Sequence, residues 1–373
     1  MGTENNNKTL NVPNLRFPEF SGEWEKYRLK DIANISKERI GINMLSNNNY
    51  ISTENMKSDF GGVDVAINLP ASGNVIKFQK GDTLLSNIRP YLKKIWQAKF
   101  DGGCSADIFV FRSNILCNSD FLYYTLANEK FISYAMSGAK GVKMPRGDKE
   151  QILKYELHLP TTIEQNKITS FLSLLDERIA TQIKIIEDLK KLKSAISKIL
   201  FDHCERASNI RLLGDICKIT TGKLDANAMT DDGKYPFFTC AREDYKTDTF
   251  AFEGDSLLIS GNGEIGIVKR YNGKFNAYQR TYVLQNFSEN IEYLMYYIEY
   301  HLPRRVLKEK NVGAMPYIVL STLSNMPIKI PDIKEQCSVC RTLTCLSELI
   351  ELNSKLRTSY ISQKSYLLAQ MFI

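Results

Sequence analysis

The chain has 373 residues, of which 43% are hydrophobic and 24% are charged. A single hydrophobic core does not ordinarily support a chain of this length, so more than one domain is expected. The composition excludes a disordered, a collagen-like and a membrane-embedded chain. The 49 Lys and Arg residues exceed the 42 Asp and Glu residues, and the resulting net charge of +7 favours a polyanionic partner such as nucleic acid.

The N-terminal residues 1–10 are polar, where a secretory signal would need an apolar segment. No apolar run reaches the roughly 18 residues that a membrane span needs. We therefore expect a cytoplasmic protein that contacts no membrane. Its eight cysteines are expected to remain reduced in that compartment.

The first 160 residues predict a mixed α/β globule. Short runs of β-prone residues are separated by turn signals such as Asp101–Gly103, and a longer stretch with helical periodicity follows. The predicted strands are Thr83–Ile88, Lys93–Ala98 and Ile108–Phe111, and the predicted helix is Phe121–Met136.

A long amphipathic helix is predicted after Pro160. Its seam residues follow the alternating four-three spacing of a heptad, which keeps them on one helix face. They are Ile168, Leu172, Leu175, Ile179, Gln182, Ile186, Leu189, Lys193, Ile196 and Leu200. A polar residue in such a seam is tolerated only where a partner answers it, so the helix is predicted to pair with another helix; packing against its own globule is the alternative.

The rest of the sequence repeats the first part in the same order. Leu29–Ile32 recurs as Leu213–Ile216, and Gly81–Leu85 recurs as Gly254–Leu258. From Met144 onward the offset is constant to the C-terminus, so length varies only within the globules, where recognition loops would lie. The second globule is predicted to contain strands Ser256–Ile259, Ile265–Tyr271 and Thr281–Leu284, a turn at Asn272–Gly273 and a helix Ile291–His301.

The repeat predicts a second long helix at the C-terminus, in the same register as the first. Its seam residues are Val339, Leu343, Leu346, Ile350, Asn353, Arg357, Tyr360, Lys364, Leu367 and Met371. Polar residues again fall at the seam positions of Gln182 and Lys193, so the two long helices are predicted to be each other's partners.

Motifs that would indicate chemistry are weak. Gly261–Gly266 matches the dinucleotide pattern GxGxxG, but the residues after it alternate like a strand instead of opening a helix. Cys337 and Cys340 have CxxC spacing without the second pair that a zinc site needs. The sequence contains no phosphate-loop or zinc-protease motif, so we predict that this chain catalyses no reaction.

Basic residues in or beside loops are the candidate DNA contacts. Lys and Arg can anchor phosphates, and Arg and Asn can also bind the edges of guanine and adenine; each of these residues could equally be a solvated surface charge. The candidates in the first half are Arg89, Tyr91, Lys93, Lys94, Lys140, Lys143 and Arg146. Those in the second half are Arg242, Asn262, Lys269, Arg270, Lys274 and Arg280, together with Arg304 and Arg305.

These features together resemble the specificity (S) subunit of type I restriction-modification systems. The resemblance rests on the opening segment Leu15–Trp24, the repeated Leu-x-Asp-Ile and Gly-Asp-x-Leu-Leu markers, the Pro-x-x-x-Glu-Gln motif before each long helix, and the two-copy layout. It implies two target-recognition domains that bind the two halves of a split DNA sequence. Because the two globules differ in sequence, the implied DNA site is asymmetric.

The resemblance also implies the fold and the partners. The expected fold class is α/β and internally duplicated, with two α/β target-recognition domains separated by two long antiparallel coiled-coil helices. The expected domains are 1–160 and 206–330 for recognition and 161–205 and 331–373 for the spacer helices. The expected partners are double-stranded DNA, two methyltransferase (M) subunits and restriction (R) subunits. No cofactor is expected in this chain; S-adenosylmethionine, ATP and Mg would bind the partner subunits.

Two other interpretations of the sequence remain open. An enzyme that binds a nucleotide at Gly261–Gly266 predicts that the cofactor protects the purified chain against unfolding. A coiled-coil scaffold without DNA recognition predicts DNA binding that is independent of sequence, or none.

Overall fold

The computed structural model describes residues 11–141, 143–204, 209–241, 243, 245–262, 267–309 and 317–373. The chain forms two units: the first contains residues 1–182 and 356–373, and the second contains residues 183–355. Each unit is therefore built from a globule and parts of both long helices. No helix in the described part of the chain is long and apolar enough to cross a membrane.

In its described residues, the first repeat has ten short strands and four short helices before its long helix. The strands are β1 Glu25–Arg28, β2 Ala33–Ile35, β3 Arg39–Gly41, β4 Tyr50–Ile51, β5 Asn74–Phe78, β6 Thr83–Ser86, β7 Ile95–Gln97, β8 Gly102–Cys104, β9 Ile108–Ser113 and β10 Glu156–Leu159. The helices are α1 Leu29–Ile32, α2 Ser119–Leu126, α3 Glu129–Ser137 and α4 Lys149–Ile152, followed by the long helix α5 Thr162–Cys204.

The second repeat has eight strands and its own long helix in the described residues. The strands are β11 Ile210–Leu212, β12 Lys218–Thr221, β13 Tyr235–Phe238, β14 Tyr245–Thr247, β15 Phe252–Ser260, β16 Val268–Ala277, β17 Thr281–Gln285 and β18 Pro327–Lys329. The helices are α6 Leu213–Ile216, α7 Ile291–Glu309, α8 Leu320–Ser324 and the long helix α9 Ile333–Met371.

The same frame holds both globules. In the first unit β1 pairs antiparallel with β10, and in the second unit β11 pairs antiparallel with β18, so each globule is closed by its first and last strands. Between these ribbons, the first unit has two four-stranded sheets, ordered β2-β9-β6-β7 and β3-β5-β8-β4. The second unit has one six-stranded sheet, ordered β12-β17-β15-β16-β13-β14. The frame is therefore shared, and the sheets that it carries are not.

The end of each long helix completes the core of the other repeat's globule. In the first unit the Phe372 ring lies 5.0 Å from the Phe121 ring, beside Leu367, Leu368 and Met371. In the second unit the Phe201 ring lies 6.3 Å from the Tyr293 ring and 5.5 Å from Tyr297. Within each unit the first turns of one helix thus accompany the last turns of the other, which is an antiparallel arrangement.

The predicted heptad seams are confirmed. All ten seam residues of α5 and all ten of α9 are buried or half-buried. The two seam lysines are neutralised within their own units. Lys364 Nζ lies 2.6 Å from Asp176 Oδ1, and Lys193 Nζ lies 3.1 Å from Glu299 Oε1. The Lys193 partner lies on α7 and not on the other long helix, so the globule of the second unit neutralises this seam residue.

The Pro-x-x-x-Glu-Gln motifs anchor both long helices to their globules. Gln165 Nε2 donates to the Pro160 carbonyl at 3.0 Å, and Gln336 Nε2 donates to the Pro331 carbonyl at 3.0 Å. The glutamates differ, because Glu164 is 1% exposed whereas Glu335 is half-buried. The glutamine therefore makes the same hydrogen bond to the motif proline in both repeats, whereas only the first repeat buries the motif glutamate.

Two predictions about local structure are wrong. The single helix predicted over Phe121–Met136 is divided into α2 and α3, because Asn128 caps α3 by accepting from the Lys130 N–H at 3.0 Å. The turn predicted at Asn272–Gly273 is part of β16, where Gly273 has a φ of 147° and pairs with Gly254 of β15. Glycine's freedom to adopt positive φ is used there inside a strand.

Candidate nucleic-acid interface

Two segments of the first unit that the sequence singled out for their basic residues meet in space. Ile88 forms an isolated antiparallel bridge with Arg146. The Arg89 N–H donates to the Pro145 carbonyl at 2.7 Å, and the Gly147 N–H donates to the Asn87 carbonyl at 3.0 Å. Residues 87–94 and the described residues 140, 141 and 143–147 therefore form one surface, which we call the first basic loop pair.

The first basic loop pair contains left-handed backbone at residues other than glycine. Arg89 has a φ of 50° and Lys93 has a φ of 52°, on either side of the 3-10 turn Pro90–Leu92. Asp59 and Phe60, with φ values of 52° and 59°, donate their N–H groups to the Leu92 and Lys93 carbonyls at 3.0 Å. Such strain persists only where surrounding contacts impose it, and it concentrates at functional sites.

The side chains of the first basic loop pair differ in their surroundings. Tyr91 is 47% exposed, and Lys143 is exposed. The Nε of Arg89 is buried and has no hydrogen-bond partner in the described part of the chain. A buried donor of this kind is costly unless a ligand accepts from it.

The remaining candidates of this surface already have partners. Lys93 Nζ lies 2.6 Å from Glu129 Oε1, Lys94 Nζ donates to the Thr53 carbonyl at 2.6 Å, Lys140 Nζ lies 2.5 Å from Asp148 Oδ2, and Arg146 Nη1 lies 3.1 Å from Asp107 Oδ1. Lys140 and Arg146 remain more than half exposed, and exposed ion pairs are weak enough to exchange for a phosphate.

In the second unit a cleft of about 560 Å³ opens on strands β13, β14 and β16. Its walls include the candidates Lys269 and Arg270. Its other polar and aromatic walls are Lys234, Tyr235, Phe238, Tyr245, Lys246 and Tyr271. Cations that can hold phosphates thus line one cleft together with aromatic side chains, which suits a polyanionic partner.

Sequence reasoning missed the β13–β14 side of this cleft. Lys234 directly precedes β13, which begins at Tyr235, and Tyr245 and Lys246 lie opposite on β14, where Pro236 pairs with Lys246. The signal was a Lys-Tyr dipeptide after the turn residues Asp232–Gly233, matched by Tyr-Lys in the next strand. These dipeptides indicate a common surface only because β13 and β14 pair and bring them together.

Arg270 is held at the rim by a carboxylate. Its Nε donates to Asp255 Oδ1 at 3.0 Å, and its Nη2 donates to Asp255 Oδ2 at 2.7 Å. Hydrogen bonding from this guanidinium lowers the pKa of Asp255 below its ordinary value. Lys274, further along β16, lies 4.6 Å from the centre of the Phe250 ring.

Asn262 and Arg280 are brought together at the other end of the sheet. The N–H of Gly261 donates to the Arg280 carbonyl at 3.0 Å. A Cβ at position 261 would lie 2.6 Å from that oxygen, so only glycine permits this approach. Arg280 is exposed and Asn262 is half-buried. Arg242 lies outside the described residues.

The dinucleotide interpretation of Gly261–Gly266 is contradicted by the strands around it. Residues 263–266 lie outside the described residues, but β15 before the motif and β16 after it pair antiparallel from Phe252 to Ile259. A dinucleotide fingerprint requires a strand that leads into a helix and a parallel crossover. Here the motif connects two antiparallel strands.

No group of three or more His, Cys, Asp or Glu side chains in the described residues could hold a metal ion. Cys337 is exposed and Cys340 is buried, and burial raises the pKa of the Cys340 thiol to about 12. A thiol with this pKa is neither a ready nucleophile nor a ready metal ligand at neutral pH.

Comparison with known proteins identifies two copies of one family domain. The family model described as the type I restriction modification DNA specificity domain matches residues 21–191 and again residues 207–359. The EcoDI specificity subunit of Escherichia coli is 36% identical over 151 residues, which are 40% of this chain and 33% of that subunit. The MjaVIII specificity subunit of Methanocaldococcus jannaschii is 25% identical over 403 aligned residues, which cover 91% of this chain and 89% of that subunit.

Solved structures confirm the duplicated α/β fold with long helices. The type I restriction-modification S subunit from M. genitalium has a TM-score of 0.62 at 16% identity and covers 97% of this chain and 99% of its own. A chain from a study of complex assembly and conformational transition of the type I R-M system has a TM-score of 0.54 at 18% identity, over 92% of this chain and 96% of its own. These identities show the fold alone.

Proposed function

Because the chain belongs to the family of type I restriction-modification DNA specificity subunits, we propose that its two units bind the two halves of a split, asymmetric DNA sequence. The observation that carries this proposal is the same β-ribbon and helix frame present twice, with different sheets and different basic surfaces on each copy. Two different recognition surfaces imply two different half-sites.

We propose that the first basic loop pair binds one half-site and that the cleft on β13, β14 and β16 binds the other. In the first unit, strained backbone holds Arg89 and the exposed Tyr91 in place. In the second unit, lysines and tyrosines line one cleft. Base-edge contacts then come from Arg89, and phosphate contacts come from the lysines.

We further propose that two M subunits dock on the long helices, that R subunits join this complex, and that this chain catalyses no reaction. S-adenosylmethionine, ATP and Mg would then be bound by the partner subunits. Because the proposed partner is DNA, we infer the cytoplasmic location that the sequence predicted.

An exposed apolar stripe supports the docking proposal. On α5 within the second unit, Ile185, Leu192 and Ile199 recur at heptad spacing and are 39%, 47% and 68% exposed. They lie outside the buried seam of the same helix. Apolar residues that repeat on one exposed helix face are typical of a surface that a partner helix covers.

Charging this stripe is expected to release the M subunit that docks on this part of α5. Burial of a Leu or Ile side chain contributes about 1.5–3 kcal/mol, so the double substitution L192E/I199E should weaken M binding at least tenfold. Both side chains face solvent, so the melting temperature of the chain should change little. The ratio of M to this chain after co-purification measures the effect, and K190E on the same helix is the control; an unchanged ratio would place the docking surface elsewhere.

The proposed function is tested by co-expressing this chain with its cognate M subunit in a host free of DNA methylation. Mapping of modified adenines by single-molecule sequencing should reveal a split motif with a spacer of fixed length. A stable complex that methylates no defined sequence would support the scaffold interpretation instead.

A further inference from the structure

The second unit has another cleft that shares no lining residue with the cleft on β13, β14 and β16. It lies between α7, the end of α5 and β18, and its volume is about 600 Å³. Arg304, Arg305, Lys308 and Lys329 line it, and Asp202 is the one carboxylate among the lining residues. We call it the α7 cleft. Its excess of cations favours an anionic ligand.

His301 adds a polar group to the α7 cleft wall. Its ring lies 4.2 Å from the Tyr297 ring and 4.8 Å from the Tyr300 ring. Its Nε2 is buried and has no hydrogen-bond partner in the described residues. Burial first, and then the charges of Arg304 and Lys329, lower the pKa of His301 to about 4, while Asp202 acts in the opposite direction. The imidazole is thus neutral at pH 7, and in the Nε2–H tautomer it offers one donor.

Arg304 is fixed before any ligand binds. Its guanidinium carbon lies 3.8 Å from the centre of the Tyr300 ring, and its Nη1 donates to the Tyr300 carbonyl at 2.8 Å. Stacking on an aromatic ring reduces the rotamer freedom that a ligand would otherwise have to remove. The planar fork of arginine matches the geometry of phosphate oxygens.

Helices α2 and α3 of the first globule lack this cleft's charges. Helices α2 and α3 occupy the place in the first globule that α7 occupies in the second, and both α2 and α7 begin after an asparagine whose side chain accepts backbone N–H groups. The one basic residue of α2 and α3 is Lys130, which donates to the Phe372 carbonyl at 2.9 Å. The cations of the α7 cleft therefore have no counterpart on α2 and α3, so the proposed ligand binds the second globule and not the first.

We propose that the α7 cleft binds a phosphate group, supplied either by the DNA backbone outside the half-site or by a free phosphate-bearing ligand. Arg304 contacts two phosphate oxygens, Lys308 and Lys329 contribute positive charge, and His301 Nε2 donates a hydrogen bond. This site goes beyond half-site recognition, because none of its lining residues belongs to the proposed recognition surfaces.

Titration calorimetry with inorganic pyrophosphate on the purified full chain tests the proposal without DNA. The unsubstituted chain should bind pyrophosphate, and R304E/K308E should bind it at least tenfold more weakly. The control K190E/K198E makes the same change in net charge on exposed positions of α5. Melting curves show whether each variant is folded, and R304K, which keeps the charge but loses the planar fork, should show an intermediate affinity.

A second measurement identifies the source of the phosphate. If the DNA backbone supplies it, the slope of log affinity for duplex DNA against log salt should fall in R304E/K308E by about 0.9 for each phosphate that the variant no longer binds. An unchanged slope with weakened pyrophosphate binding assigns the cleft to a free ligand. Pyrophosphate binding that is absent, or equal in R304E/K308E and the control, overturns the proposal, and so does preferential competition by an acidic peptide. Half-site methylation is a separate readout, so either proposal can fail alone.

Discussion

Replacing Glu164 by alanine is expected to destabilise the first unit by about 3–5 kcal/mol. Glu164 is 1% exposed and accepts from Arg16 Nε at 2.7 Å, from Arg16 Nη2 at 2.8 Å and from Trp24 Nε1 at 3.3 Å. The substitution removes the counter-charge of the Arg16 guanidinium. The Arg16 side chain is only 13% exposed, so water cannot fully replace the lost carboxylate. An unpaired charge in that position costs more than the ion pair itself contributes.

Tryptophan fluorescence during urea unfolding measures this effect selectively. The chain has 2 tryptophans, Trp24 and Trp96, and both lie in the first unit. With a urea dependence of about 2 kcal/mol per molar, the midpoint should fall by roughly 2 M. E164Q, which keeps one acceptor oxygen, should have a smaller effect.

The repeat supplies the matched control. Glu335 occupies the position of Glu164 in the second Pro-x-x-x-Glu-Gln motif, but its side chain is 41% exposed and lies 3.4 Å from His203 Nε2. An exposed pair contributes about 0–1 kcal/mol, so E335A should barely change stability. Far-UV circular dichroism during urea unfolding measures this control, because both tryptophans lie in the first unit and Glu335 lies in the second. Comparable destabilisation in the two variants would contradict the assignment of Glu164 as the buried anchor of the N-terminal segment.

Removing the Arg89 side chain is expected to relax the base preference at one position of one half-site. A bidentate contact from arginine to guanine discriminates by about 1–3 kcal/mol, or roughly 5- to 150-fold. Arg89 has the required preorganisation, because its left-handed backbone is imposed by neighbouring loops and its buried Nε has no partner in the described residues. The other half-site should be unchanged.

Three substitutions separate the guanidinium from the backbone. R89A removes the side chain and keeps the left-handed strain, whereas R89G removes both, and R89K keeps the charge without the fork. If the guanidinium reads the base, R89A and R89G should give the same relaxed motif. Methylome sequencing of cells that co-express M measures each motif, with the exposed Arg28 replaced by alanine as the control. An unchanged motif in R89A would move base reading to other residues of the loop pair.

The break between α2 and α3 could not be predicted from the sequence, because a residue far along the chain contributes to it. Asn128 ends the run of helix after α2 because its side chain caps α3, and its Nδ2 also donates to the Leu368 carbonyl at 3.3 Å, from 240 residues earlier in the chain. Within the window Phe121–Met136 the helical periodicity is unbroken. The contact that favours a cap over a helix interior lies on α9.

The sequence could predict which residues are candidates for DNA contact, but it could not predict which of them lie together in one site. Basic loop residues could be named, but the bridge between Ile88 and Arg146 joins segments whose pairing has no sequence signal. In the second unit, Lys234 and Lys246 became candidates only through the pairing of β13 with β14 and of β13 with β16. Strand order follows from long-range packing, which periodicity does not contain.

The sequence by itself determined the duplication and the two heptad seams, because period and order are properties of the linear chain. It also determined the Glu-Gln motif at the start of each long helix. Only the tertiary structure decided that Phe372 completes the first core and Phe201 the second. The physical reason is that a helix end has many apolar surfaces on which it could be buried, and the folded chain selects the one that excludes most water.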